Sequence, residues 1–286
     1  MCLGMAAKLG SSVDPIIYIG PVILNTGDPM VRKRNLYNPH SDEPYRLSRT
    51  KLENFLKCPR CFYLDRRLGV GQPPGFPFNI NSAVDELLKR EFDQCRVNQV
   101  AHPYMVEAAI DAVPAIHPEL DNWRKNFVGV SHVHAESNFE VFGAIDDLWL
   151  GSDGQYIVVD YKATSKNGEV TLDADWQISY KRQMEIYQWL LRKNGLPVSE
   201  RGWFVYCNGK RDADGFNNKV EFVVKLLSYD GSDDWIDDAL IDARNTLTNN
   251  ELPAGSKTCD YCIYREEAAC FETHNNHQSI DSNISD

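Results

Sequence analysis

No stretch of the 286 residues approaches the roughly 18 consecutive apolar residues of a transmembrane helix, so no membrane span and no membrane partner is expected. Cysteine is scarce. Eight residues in the chain are too few for the disulfide framework of a small secreted domain. Positive charge is in deficit: the formal net charge is −11, which argues against non-specific polyanion binding by the chain as a whole. There are no internal repeats, which sets aside repeat architectures. The opening MCLGMAAKLGSSVD has one lysine and too short an apolar run for a signal peptide. The expected location is the cytoplasm.

What is present is an ordinary globular composition, 43% hydrophobic and 25% charged, in a chain long enough for one large domain or two small ones. The charge is unevenly spread. Between residues 46 and 67 lie seven basic side chains (Arg46, Arg49, Lys51, Lys57, Arg60, Arg66, Arg67) against Glu53 and Asp65, a net of +5 that leaves −16 for the remainder. Two readings stand: a patch that meets phosphates, or a solvated helix face.

Residues 1–44 mix apolar patches with Gly, Pro and Asp and form an unassigned N-terminal segment. Ser48 is a plausible N-cap for a helix with Leu52, Phe55 and Leu56 on one stripe. GQPPGFPFN, 71–79, is a loop. The run 82–96 is an amphipathic helix with Val84, Leu87, Leu88 and Phe92 at helical spacing. Residues 103–127 read as helix broken near Pro114 and Pro118. SNFEVFGAIDDLWL and QYIVVDYKAT then flank GSDG, a hairpin signal. DWQISYKRQMEIYQWLLRKNG is a helix ending at Gly195. Two further strands, RGWFVYCNG and KVEFVVKLLSYD, precede a helix with an acidic first turn, SDDWIDDALIDARNTLTNN. A domain over 45–272 is followed by a polar tail, 273–286, expected to be disordered. The order points to an α/β fold, a central mixed sheet flanked by helices.

A loop of Ser152, Asp153 and left-handed Gly154 pairs residue 151 with 155, so opposed residues sum to 306. Asp146 then lies opposite Asp160, and Lys162 shares their face. A two-residue loop would turn Asp146 to the other face. Two carboxylates this close repel one another unless one keeps its proton or a cation lies between them, and oxygen ligands suit Mg²⁺ or Mn²⁺. Lys162 beside them can stabilise developing negative charge or orient a water. Asp147 should point the opposite way, structural or solvated. Asp160-Tyr161-Lys162 is the one acid-x-Lys triplet in the chain; its alternative reading is an exposed ion pair at a strand end. Gln183 and Tyr187 sit four apart on one helix face.

GAIDDLW, VVDYKAT and QMEIY together resemble the PD-(D/E)XK nuclease superfamily, in particular its RecB-like and Cas4-like branch, over roughly residues 48–272. The resemblance implies a restriction-endonuclease-like core and metal-dependent cleavage of DNA. It implies a setting in repair, recombination or CRISPR adaptation, with a helicase or other nucleic-acid-processing partner. It implies Asp146 and Asp160 as metal ligands, Lys162 as the catalytic lysine, a metal contact from the Tyr161 backbone carbonyl, and Gln183 and Tyr187 as DNA-positioning residues. Where such proteins often carry a metal-binding His on an early helix, this sequence has Asp85. Glu86 should face elsewhere, and His132 and His134 read as surface residues.

Cys58 and Cys61 in KCPRCFYL, and Cys259, Cys262 and Cys270 in KTCDYCIYREEAAC, form two clusters almost 200 residues apart. CxxC spacing suits zinc or an iron–sulfur cluster. The resemblance to Cas4-like and AddB-like nucleases implies a [4Fe–4S] cluster on Cys58, Cys259, Cys262 and Cys270 that brings the Cys-rich ends together. A zinc reading uses Cys61 in place of Cys270.

The leading expectation is a metal-dependent deoxyribonuclease, an exonuclease on single strands or ends, with Phe55, Phe62 and Tyr63 near the basic helix suited to single strands. The alternatives are a weak or inactive nucleic-acid-binding or assembly module on the same fold, which Asp85 favours, and a nuclease acting on RNA.

Overall fold

The computed structural model describes residues 35–75 and 79–281, residues 273–281 by their backbone alone. Most of the unassigned N-terminal segment lies outside the described residues. β1 (Tyr45–Ser48) leads directly into α1 (Arg49–Lys57), and α2 (Pro59–Arg66) begins one residue later, after Cys58. Ser48 caps α1, its Oγ accepting the Lys51 N–H at 3.3 Å. Pro59 opens α2, where its missing N–H costs nothing. α3 (Asn79–Asn98) is the long helix expected near 82–96. It buries Leu88 and Phe92, whereas Leu87 is exposed.

The stretch read as broken helix contains instead a short helix α4 (Pro103–Glu107), an edge strand β2 (Ala112–Pro114) and a single helical turn α5 (Leu120–Trp123). Pro114 is tolerated because it ends an edge strand. Then come β3 (Val130–His134), β4 (Phe139–Gly143), β5 (Asp147–Gly151) and β6 (Tyr156–Thr164). After a 3-10 turn at Asp175–Gln177 follow α6 (Ile178–Lys193), β7 (Arg201–Gly209), β8 (Phe222–Asp230), α7 (Ile236–Thr248) and α8 (Asp260–Asp281). Gly195 closes α6 with φ +84°, its N–H donating to Arg192 O at 2.9 Å. The backbone of α8 runs past residue 272, where the sequence reading ends the domain.

Among the described residues the strands form two sheets, a small one in the order β1-β4-β3 and a larger one in the order β2-β5-β6-β7-β8. β6 and β7 run parallel, joined by the α6 crossover, and the other pairs of the larger sheet are antiparallel. This mixed sheet flanked by helices is the restriction-endonuclease-like α/β fold expected.

One expectation fails in an instructive way. SNFEVFGAIDDLWL is two strands, not one. β4 pairs with β1 and β3, β5 pairs with β2 and β6, and residues 144–146 cross from one sheet to the other. The hairpin register nevertheless follows the left-handed Gly154 (φ +80°): Gly151 N–H donates to Gln155 O at 2.9 Å, and Asp147 pairs with Val159.

The larger sheet is covered on both faces. One face carries Leu148, Val158, Phe204 and Tyr206 into the main core with Met184, Ile186, Tyr187 and Leu190 of α6. The other carries Trp149, Val159, Tyr161, Val205 and Cys207 against Leu88 and Phe92 of α3 and Met105 of α4. Phe55, Phe62 and Tyr63 are core residues, which removes them as a stacking surface. His134 is buried and bonds Ser137 Oγ at 2.9 Å, and His132 is half-buried against Trp189; neither is the surface histidine expected.

Asp147 is fully buried. Its carboxylate accepts Tyr161 Oη–H at 2.8 Å and Arg124 Nη2 at 2.6 Å, and it also pairs with Arg96. Both arginines also hold Asp93. Two cations and two carboxylates thus lock α3, β5, β6 and the end of α5 together. Removing one partner of a buried ion network strands the rest without water. Asp147→Ala is therefore expected to lower unfolding free energy by about 3–5 kcal/mol, measured by urea denaturation.

Candidate active site

The alternation of β6 turns Asp160 and Lys162 toward α6 and Tyr161 toward α3. Asp146 stands just before β5, in the crossing segment, opposite Asp160 in the continuing register. Its Oδ2 accepts the Tyr161 N–H at 2.8 Å, so a side chain completes the ladder where the strand has ended. Asp160 has no exposed surface, and neither of its carboxylate oxygens has a well-formed hydrogen bond; the Lys162 ammonium touches it as an ion pair. It is thus a buried site, not the exposed ion pair of the alternative reading. Burial raises the Asp160 carboxyl, Lys162 opposes that, and the charge of Asp146 adds to it, leaving it at about 6.

α6 supplies the next layer. Gln183 Oε1 accepts from Lys162 Nζ at 3.3 Å, and its Nε2 donates to Tyr187 Oη at 3.1 Å. Lys162 also lies 4.5 Å above the Tyr180 ring, a contact that sequence reading missed. The Gly-x-x-Asp spacing has a steric cause here. A Cβ on Gly143 would stand 2.6 Å from Tyr187 Cε1, so only glycine lets the tyrosine approach the carboxylates.

Asp85 comes from α3, on the other side. Its carboxyl is raised, first by burial and then by the charge of Asp146, which brings it into the same electrostatic neighbourhood. Lys89, one turn on, bonds Asp85 Oδ2 at 2.8 Å and lies 3.9 Å from Asp146 Oδ1. Lys89 was not a sequence candidate, although its i, i+4 spacing from Asp85 was a signal. Glu86 pairs with Arg90 at the surface, facing elsewhere as expected.

Beside Gly143, Ala144 and Tyr187 opens a groove of about 610 Å³ whose walls include Arg46, Arg49, Lys51 and Arg66. Part of the basic run therefore lines a groove beside Gly143 and Tyr187. Lys51 and Arg66 share the buried Asp65, at 2.6 and 2.7 Å. Arg49 is the groove cation whose charge reaches both Asp160 and Tyr187. Phe127 stands in the groove largely exposed, at a left-handed φ of +71° that is rare for a bulky residue.

A family model for the PD-(D/E)XK nuclease superfamily matches residues 71–267, more than half of the chain. The chain belongs to the PD-(D/E)XK nuclease superfamily. Membership implies a hydrolase acting on nucleic acids, in a family that uses divalent metals. No curated protein is found to match the chain. Among solved structures, the crystal structure of SSO0001 is similar over 79% of this chain and 86% of that one, at 15% identity and a TM-score of 0.39. Among the described residues no helix is long and apolar enough to cross a membrane.

Three carboxylates of this superfamily member offer the hard oxygen atoms that a divalent cation takes: Asp160, buried and paired with the Lys162 ammonium, Asp146, whose charge acts on it, and Asp85, on which the charge of Asp146 also acts.

The cysteines gather differently from the set that the resemblance implies. Cys58, Cys61, Cys259 and Cys262 have their sulfurs within 4.8 Å of one another. Cys61 takes the place expected for Cys270, which lies more than two helical turns beyond Cys262 on α8 and outside this group. Four cysteines so placed could hold a metal.

The raised Asp160 carboxyl sets a pH dependence. In the unfolded chain it titrates near its ordinary value of about 3.9. The folded state keeps its proton to higher pH, so metal-free protein loses stability as pH rises through about 4 to 6. A cation needs the ionised form. Mn²⁺ is therefore expected to raise Tm more at about pH 7.5 than at about pH 5, and Asp160→Asn to abolish that rise at both. Equal shifts at both pH values would exclude Asp160 as a ligand.

Proposed function

We propose that this chain is a metal-dependent deoxyribonuclease of the RecB-like and Cas4-like branch, acting as an exonuclease on single strands or ends. The observation that carries the reading is the buried Asp160 beside Asp146, paired with Lys162 and within reach of the charge of Arg49 from the basic groove. Asp146, Asp160 and the Tyr161 carbonyl would hold Mg²⁺ or Mn²⁺, with Asp85 in the place of the family histidine. The cation supplies Lewis-acid polarisation of a phosphoryl oxygen and a more acidic water. Lys162, steadied by Gln183 and Tyr180, neutralises charge developing on the phosphate or orients the attacking water. Tyr187 lines the groove and Gln183 links it to Lys162, and the two would position the strand. Arg46 and Arg49 neutralise the strand's phosphates there without reading sequence. A cytoplasmic setting and a helicase or similar partner belong to the same proposal, on the strength of the branch resemblance.

Phe127 supports a single-strand substrate. An exposed aromatic held among arginines offers a stacking face that a paired base does not use. Basic and aromatic groups together serve RNA as well, so labelled RNA belongs beside single- and double-stranded DNA in the assay.

Lys162→Ala is expected to lower metal-dependent cleavage of labelled single-stranded DNA by about 10²–10³-fold while binding persists. No cleavage by folded, metal-loaded wild-type protein would overturn the reading and favour a binding or assembly module. The position of Lys89 between Asp85 and Asp146 is what supports that second reading, since its ammonium already supplies the carboxylates with a cation.

Phe127→Ala should raise KM for single-stranded DNA roughly tenfold, with kcat little changed, as expected for loss of one stacked base worth about 1–3 kcal/mol. An unchanged KM would remove Phe127 from the substrate path.

A further inference from the structure

The four-cysteine group raises a sharper question than whether it binds metal: how many metal atoms fit. Cys58 Sγ lies 3.7 Å from Cys262 Sγ, and Cys61 Sγ lies 3.5 Å from Cys259 and 3.7 Å from Cys262. Four thiolates on one tetrahedral ion at a Zn–S distance of about 2.3 Å stand about 3.8 Å apart. A four-iron cubane gives each thiolate its own iron at a different corner, which spreads the sulfurs to roughly 6 Å. Here all four lie within 4.8 Å of one another. That spacing matches the single-ion arrangement at the three closest pairs and falls short of the cubane's.

The surroundings favour a thiolate at Cys58, while burial and the neighbouring sulfurs hold the protons on Cys61 and Cys262 until a cation displaces them. Each CxxC pair straddles a helix start. Cys58 immediately precedes α2 with Cys61 in its first turn, and Cys259 immediately precedes α8 with Cys262 in its first turn. The positive ends of both helix dipoles thus meet at the sulfurs. A backbone N–H reinforces one of them: Ser256 N donates to Cys58 Sγ at 3.4 Å. The loop that carries this donor is pressed onto the site at Gly255, where a Cβ would stand 3.0 Å from Cys262 Sγ. All four sulfurs are soft ligands, suited to borderline Zn²⁺, in a closed set with no position left open for a substrate.

We propose that Cys58, Cys61, Cys259 and Cys262 hold one structural Zn²⁺, in place of the iron–sulfur cluster that the Cas4-like and AddB-like branch leads one to expect. Each thiol that binds releases its proton to solvent, and no electron is transferred. The ion joins residues about 200 positions apart and is independent of the carboxylate site.

The test is the metal content of the full chain carrying Asp160→Asn, so that the carboxylate site does not contribute, purified without oxygen. One zinc per chain is expected, with no iron and no acid-labile sulfide. Replacement by Co²⁺ should give the visible absorption of a tetrahedral cobalt thiolate. Cys61→Ser should lose the zinc, and Cys270→Ser should keep it. Iron with labile sulfide, retained in Cys61→Ser and lost in Cys270→Ser, would overturn the proposal. So would iron without sulfide, or folded protein holding no metal. The unmodified cysteine set and Cys270→Ser decide the matter even if Cys61→Ser does not fold.

Discussion

The fold turns on a single buried carboxylate, Asp147. It lies in the sheet with no water to solvate it, and such a charge is tolerated only where cations and donors converge on it. Arg96 arrives from α3, Arg124 from the end of α5 and the Tyr161 hydroxyl from β6. Each of those elements is thereby fixed relative to the hairpin. Because α3 is held at Arg96, its N-terminal half is held too, and Asp85 and Lys89 are brought to Asp146 rather than left in solvent. The neighbouring aspartates have divided their tasks by direction. Asp147 is neutralised and structural on the α3 side of the sheet. Asp146, in the segment that crosses between sheets, ends up as a partly exposed acceptor of the Tyr161 N–H.

That division explains an electrostatic contrast. Asp147 has two guanidiniums and a hydroxyl. Asp160, buried as deeply, has the Lys162 ammonium and no well-formed hydrogen bond. A core under selection for stability alone would supply donors or replace the group. Strain of this kind, kept beside a groove and a second carboxylate, is the pattern of a site arranged for an incoming charge rather than for the resting protein. Gly143 belongs to the same arrangement. It forgoes a side chain so that Tyr187, Gln183 and Lys162 can form a continuous chain of contacts up to Asp160.

Much of this was legible in the sequence because it rests on local chemistry. Gly154 fixed the hairpin loop, the loop fixed the register, and the register put Asp146 opposite Asp160. Gly195 and Ser48 marked helix ends by the same kind of local necessity. The break between β4 and β5 was not legible, for a specific reason. Phe139, Val141, Gly143, Ile145, Asp147 and Trp149 are all buried, so the period of two runs unbroken across the crossing segment. A pattern of alternation records which residues go inside, not which sheet they enter. Lys89, Arg49 and Phe127 escaped because their role depends on contacts between elements distant in sequence. Cys61 and Cys270 could not be ranked from spacing alone, since only the approach of α8 to α2 decides which thiol reaches the other three.

The cysteine group and the groove are parts of one mechanical argument. α1 and α2 follow each other with one residue between them, and that residue is Cys58. Arg49 and Lys51 lie on α1 and Arg66 on α2, all three along the groove. Their backbone is anchored at one end by the small sheet, through β1 paired to β4, and at the other by the sulfurs shared with α8. Without the second anchor, the entropy of closing a segment of about 200 residues would oppose the packing of α2 on α8. A bound ion would offset that cost at one point, at the joint of the two helices that form the basic wall. The position of cations that would face a phosphate backbone is then set from a site that touches neither substrate nor catalytic carboxylate. Loss of that anchor would act on the groove through the angle between α1 and α2, leaving in place the geometry of Asp146, Asp160 and Lys162, which rests on β6 and α6.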